Sequence, residues 1–125
     1  MERIGQPPRL ADGRSVPLSP AVRVDNLLFL SGQLGLDDSG ALVSDDIGEQ
    51  TQQCIRRIAA VLALAGSDLS KIVKATLWIT EASEFGVVNS VWAETFGEWP
   101  PARSTVVSQL LIPGARIEIE VIATC

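Results

Sequence analysis

One arginine and two glutamates in the last quarter of the chain have the types and spacing to do chemistry. The segment Ile117-Glu118-Ile119-Glu120-Val121-Ile122-Ala123-Thr124 alternates strictly. In an extended strand Ile117, Ile119, Val121 and Ala123 face one way, and Glu118, Glu120, Ile122 and Thr124 face the other. Upstream, Arg103, Thr105 and Val107 share one face of another strand, although the spacing does not say which face. If that face is the glutamates' own, a guanidinium lies near two carboxylates. An arginine binds a carboxylate bidentately and stays charged at any physiological pH. A glutamate beside it can orient or deprotonate a water. Such a set suits the hydrolysis of a small 2-substituted acid. The competing reading is an inter-strand ion pair between Arg103 and Glu118 or Glu120, because structural ion pairs bring the same residue types together.

Other chemistries find little support. The chain has no histidine, which excludes Ser-His and Cys-His nucleophilic catalysis. Cys54 and Cys125 are far apart and have no metal-ligand spacing, so a zinc site is not expected; a buried Cys54 and a terminal Cys125 are. Ser31-Gly32-Gln33-Leu34-Gly35 allows close backbone approach to a ligand, but it has neither the spacing nor the following helix of a dinucleotide fingerprint. Trp78, Trp92 and Trp99 read as packing residues. The net charge is −5, and Arg56-Arg57 is the only adjacent basic pair. Nucleic acid, whose binding needs clustered Lys and Arg, is therefore not an expected partner. No apolar run approaches the roughly 20 residues of a membrane span, and residues 1–8 lack a signal-peptide core, so the expected location is cytoplasmic.

The elements that must position these residues follow from periodicity. Residues 1–15, rich in Pro, Gly and charge, read as an irregular N-terminal arm ahead of a single domain over 16–125. Residues 21–24 and 27–31 form a hairpin around Asp25-Asn26. Asp46 with Glu49 predicts a capping box, and Ile47, Thr51, Ile55, Ile58, Leu62 and Ala65 recur at helical spacing up to Gly66. Residues 72–80 alternate as a strand with Val73, Ala75, Leu77 and Ile79 on one face. Ser83 is placed to cap a second helix with the stripe Phe85, Val88, Trp92 and Phe96, which Gly97 ends. Residues 103–108 and 116–124 make the last two strands. The order is β-β-α-β-α-β-β, an α+β fold with a single mixed sheet and both helices on one face.

That fold leaves one sheet face without a cover. Residues 27–31 are apolar on both sides, with Leu27 and Phe29 on one and Leu28 and Leu30 on the other. Two apolar sides call for burial on both. A second copy of the chain supplies the cover most simply; the alternative is the N-terminal arm folded across it.

Five segments, in order, resemble the RidA/YjgF family. They are residues 26–33 (Asn-Leu-Leu-Phe-Leu-Ser-Gly-Gln), 72–76 (Ile-Val-Lys-Ala-Thr), 85–89 (Phe-Gly-Val-Val-Asn), 96–104 (Phe-Gly-Glu-Trp-Pro-Pro-Ala-Arg-Ser) and 117–123 (Ile-Glu-Ile-Glu-Val-Ile-Ala). The likeness covers about residues 16–124. It implies a chorismate-mutase-like fold and a homotrimer with clefts between subunits. It also implies a 2-iminobutanoate/2-iminopropanoate deaminase, which turns enamine or imine intermediates of PLP-dependent dehydratases into 2-keto acids and ammonia with no metal or organic cofactor. Carried over, Arg103 matches the arginine that binds the substrate carboxylate, and Glu118 the acid that positions the attacking water. Ser31 and Gly32 match the cleft wall, and Asn89 the helix asparagine near the cleft. Thr105 stands where the family usually has cysteine, and Leu18 where it has a tyrosine that closes over the ligand. The alternatives under the same resemblance are a non-catalytic binder of small carboxylates acting as a regulator and an aminomuconate-type deaminase. A ribonuclease, a label some relatives carry, fits the negative charge and absent histidine poorly.

Overall fold

Alternating residues build one mixed sheet, and two amphipathic helices cover one side of it, across residues 1–125 of the computed structural model. The strands are β1 (Glu2–Ile4), β2 (Ala21–Val24), β3 (Leu27–Leu30), β4 (Gln33–Leu34), β5 (Ile72–Ile79), β6 (Ala102–Val107) and β7 (Ile117–Thr124). The helices are α1 (Ile47–Leu64) and α2 (Phe85–Phe96). The sheet order is β1-β2-β3-β7-β5-β6, and β4 also pairs with β7. Only β5 and β6 run parallel, with α2 as their crossover. No helix is long and apolar enough to cross a membrane.

The core lies between the sheet and the helices. Leu28, Ala75, Leu77, Ile117, Ile119 and Val121 are fully buried on the sheet side, against Ile58 and Leu62 of α1 and Val88 of α2. The alternation expected for β7 is therefore present, with Ile117, Ile119, Val121 and Ala123 inward. The hairpin around Asp25-Asn26 also forms: Val24 pairs with Leu27, and Asp25 takes a φ of 52°, which a short polar side chain tolerates.

Four local expectations change. Residues 1–15 are not wholly irregular, because Glu2–Ile4 adds an antiparallel edge strand to β2 and buries Ile4. Three residues are too few to show an alternation in the sequence. The arm thus lengthens the sheet sideways and does not cover its open face. Val73 does not share a face with Ala75, since a register shift between Ile72 and Lys74 turns Val73 outward and Ile72 inward. Ser83 does not cap α2. It sits in a 3₁₀ turn, Ala82–Glu84, whose tighter bonds use the amides of Glu84 and Phe85, and α2 starts with no side-chain cap. Finally, the capping box of α1 is half formed. Asp46 Oδ2 accepts from the Glu49 N–H at 2.9 Å, but the Asp46 N–H donates to Ser44 Oγ, also at 2.9 Å, in place of the Glu49 side chain.

Candidate active site

β6 is an edge strand, so its inward residues reach the margin of the core and not its centre. Arg103 and Thr105 pair in register with Ala75 and Leu77 of β5, both of which face the helices. Arg103 therefore points to the helix side. Its Nη2 donates to Asn89 Oδ1 at 2.7 Å. Its Cζ lies 5.4 Å from the Phe85 ring centre and 5.6 Å from that of Trp92. Burial pushes the guanidinium pKa down from its ordinary value. No carboxylate pairs with it, whereas Arg14, Arg23 and Arg116 are each ion-paired, with Asp12, Glu2 and Glu84. Beside it a shallow recess of about 410 Å³ is lined by Asn89, Trp92, Ala93, Gly97, Pro100, Pro101 and Arg103. A partly desolvated cation with unused N–H groups at a recess is a binding point for an anion.

Glu118 and Glu120 pair with Trp78 and Thr76, on the opposite side of β5 from Ala75 and Leu77. Glu118 thus lies on the open face. Burial, and then the nearby Glu120 charge, pushes its carboxyl above the ordinary glutamate value. Its carboxylate rests against the bare Cα of Gly32; an added Cβ there would stand 3.1 Å from Glu118 Cδ and would overlap Oε2. Ser31 holds that stretch in place: its hydroxyl donates to Ser19 O at 2.7 Å, and its N–H to Pro20 O at 2.9 Å. Leu18, beside Ser19, is part of the same strap. A second recess, of about 200 Å³, joins Glu118 to Trp78 and to Ser108–Leu111.

The catalytic pair expected on one face of the sheet is not there within a single chain. Arg103 faces the helices and Glu118 faces away from them. The inter-strand ion pair is absent for the same reason. The seven expected residues fall into two groups: Arg103, Asn89 and Thr105 on the helix side, and Glu118, Gly32, Ser31 and Leu18 about the open face.

Comparison with known proteins shows the family of the chain. The family model described as Endoribonuclease L-PSP matches residues 12–125. Reactive Intermediate Deaminase A, chloroplastic, of Arabidopsis thaliana is 40% identical over 109 residues, which is 86% of this chain and 58% of that longer protein. This chain belongs to the RidA/YjgF family. Another relative, the 2-iminobutanoate/2-iminopropanoate deaminase of Homo sapiens, is 37% identical over 114 residues, covering 90% of this chain and 83% of the human one. Among solved structures, the Rid-family protein YyfA of Yersinia pestis superposes with a TM-score of 0.87 at 39% identity, over 99% of this chain and 98% of that one.

In this RidA/YjgF chain, sequence reasoning missed two roles. Phe85 and Trp92 were read as core, yet both rings lie against the Arg103 guanidinium; their spacing with Asn89, four and three residues apart, puts all three on one stripe of α2. Gln50 is fully buried and joins α1 to the loop before β7. Its Nε2 donates to Ser44 O and Gly114 O, and its Oε1 accepts from the Arg116 N–H at 2.8 Å. The available signal was a glutamine inside an apolar helical stripe, which needs such partners. Thr105 Oγ1 is buried and has no hydrogen-bond partner. Cys54 is an inert thiol, pushed up to about 12 by burial.

Proposed function

We propose that this protein hydrolyses reactive 2-imino (enamino) acids to 2-keto acids and ammonia, without a cofactor, at sites shared between copies of the chain. The observation that carries the reading is Arg103: a partly buried guanidinium held by a neutral amide, with no carboxylate partner in its own chain. A substrate carboxylate completes it. The deaminase names of the human and Arabidopsis relatives support the same chemistry.

Water adds across the C2=N bond, its oxygen to C2 and one proton to nitrogen; the carbinolamine hydroxyl then passes its proton to nitrogen as the C–N bond breaks, which leaves the 2-keto acid and ammonia. Arg103 holds the carboxylate. Glu118 holds and polarises the water, and a pKa raised by burial and then by Glu120 makes it a better proton acceptor. Imines hydrolyse unaided in water, so positioning and modest acid–base help suffice. Because Arg103 and Glu118 lie on opposite faces of one chain, the Glu118 that serves a given Arg103 belongs to a neighbouring copy. A homotrimer with three inter-subunit clefts meets that need and covers the open face. Ser31 and Gly32 then wall the cleft, Leu18 closes over an apolar substrate end, and Thr105 contributes backbone groups. A cytoplasmic location, alongside PLP enzymes that release such imines, belongs to the same proposal.

Purified protein added to a threonine dehydratase reaction should speed 2-oxobutanoate release and reduce semicarbazide trapping of the imine. Arg103→Ala should abolish both effects while leaving the oligomer intact. No acceleration over buffer by the native protein would leave only carboxylate binding, and dissociation of the Arg103→Ala oligomer would make the arginine structural.

A further inference from the structure

Arginine side chains are flexible, and pinning one costs up to roughly 2 kcal/mol of rotamer entropy. A carboxylate-binding arginine that is already held therefore binds more tightly than a free one. Asn89, Phe85 and Trp92 form one stripe of α2, and all three touch or overlie Arg103: a hydrogen bond of 2.7 Å, and ring centres at 5.4 and 5.6 Å. An arginine has no acceptor, so the Asn89 amide must present its oxygen. That bond uses one of the five guanidinium N–H groups. The amide is neutral, and so are both rings. Arg14 and Arg116 are held by carboxylates, those of Asp12 and Glu84. Arg57, like Arg103, is held by neutral oxygens, those of Gln33, Leu36 and Asp37, but only Arg103 combines a neutral hold with two aromatic rings against its guanidinium.

We infer that Asn89, Phe85 and Trp92 are positioning residues that fix the plane of the Arg103 guanidinium and aim its unused N–H groups at the substrate carboxylate, with Asn89 doing so without neutralising the charge. This rests on the carboxylate-binding role proposed for Arg103. It gives Asn89, expected near the cleft, an indirect role through Arg103. The amide's shape and its lack of charge are both needed. An aspartate would hold the guanidinium at least as well and would compete with the incoming anion.

The test compares Asn89→Asp, Asn89→Ala and Phe85→Leu with the native protein and with Arg103→Ala. The readouts are the inhibition constant of 2-oxobutanoate, kcat for imine produced in situ by threonine dehydratase, and thermal melting. Asn89→Asp is isosteric. It should weaken 2-oxobutanoate binding by about 100-fold, near the upper end for a charge-assisted hydrogen bond, with no loss of melting temperature. Asn89→Ala should cost about tenfold, and Phe85→Leu, whose ring is partly exposed, about three- to tenfold. All three should act on ligand binding and KM more than on kcat. Native binding in Asn89→Asp, or a fall in kcat with binding unchanged, would overturn the inference while leaving the Arg103 reading intact. Full activity in Arg103→Ala would instead remove the reading on which it rests. If Asn89→Asp does not fold, Asn89→Ala and Phe85→Leu decide the matter by the same split.

Discussion

At the scale of single residues, Glu118 makes the sharpest prediction. Its folded pKa is raised, first by burial and then by Glu120, which faces the same way two residues along β7. A carboxyl with a raised folded pKa favours folding when protonated. That contribution is fully present below the ordinary glutamate value and is lost as pH rises through the folded pKa. The two titrations therefore pull in opposite directions: activity needs the ionised form, and stability prefers the neutral one. The acid limb of kcat/KM should lie above the ordinary glutamate range, and Glu120→Gln should move it down by removing the second cause. Glu118→Gln should be inactive and should match native stability at acid pH while exceeding it above the limb, as followed by urea titration at several pH values. A native acid limb in Glu120→Gln would show that the neighbouring charge does not matter. The roles within each strand were legible here, because alternation separates Glu118 from Ile117 and Ile119. The relation between Arg103 and Glu118 was not, since it depends on how β6 and β7 register on β5, and no residue spacing states that.

At the scale of elements, the stretch after β3 shows how two glycines, two and five residues beyond Leu30, serve different ends. Gly32 gives up its Cβ to the Glu118 side chain, whereas Gly35 gives it up to the α1 backbone, where an added Cβ would stand 2.9 Å from Gln50 Cα. A side-chain end can swing away, but a helix backbone cannot. Gly32→Ala should keep its melting temperature within a degree or two and lose most of its kcat, because Glu118 is displaced. Gly35→Ala should lose stability, on the order of 1–3 kcal/mol as for overpacking in a core, visible as a lower melting temperature. Equal melting temperatures for the two variants would contradict the distinction. The strongly periodic elements, α1, α2, β5 and β7, were readable because each buries a regular stripe. The misread positions are those where local geometry breaks the period. Val73 falls at a register shift, Ser83 in a 3₁₀ turn, and β1 in a segment too short to have a period at all.

At the scale of the whole molecule, the open face of the sheet decides how the two half-sites can work. Val24, Leu27 and Phe29 are 42%, 39% and 42% exposed there, on the side of the sheet away from the helices. A patch of this kind marks a surface that another molecule covers. The both-sided apolarity of residues 27–31 foretold it, and the same requirement fits the separation of Arg103 from Glu118. If each site draws its arginine from one copy and its glutamate from the next, defects in the two residues should complement each other. Arg103→Ala and Glu118→Ala homo-oligomers should each be inactive. Unfolded together in equal amounts and refolded, they should regain activity, because a site is intact whenever a Glu118→Ala copy supplies the arginine and an Arg103→Ala copy the glutamate. Random assembly of a closed ring makes about one site in four of that kind, so about a quarter of native activity should return. Phe29→Glu, which places a charge on the covered face, should give folded protomers by circular dichroism, a smaller species by sedimentation, and no activity. A mixture that stays inactive although sedimentation and mass spectrometry show mixed oligomers would mean that no site combines these two residues across copies, and the shared-cleft mechanism would fail with it.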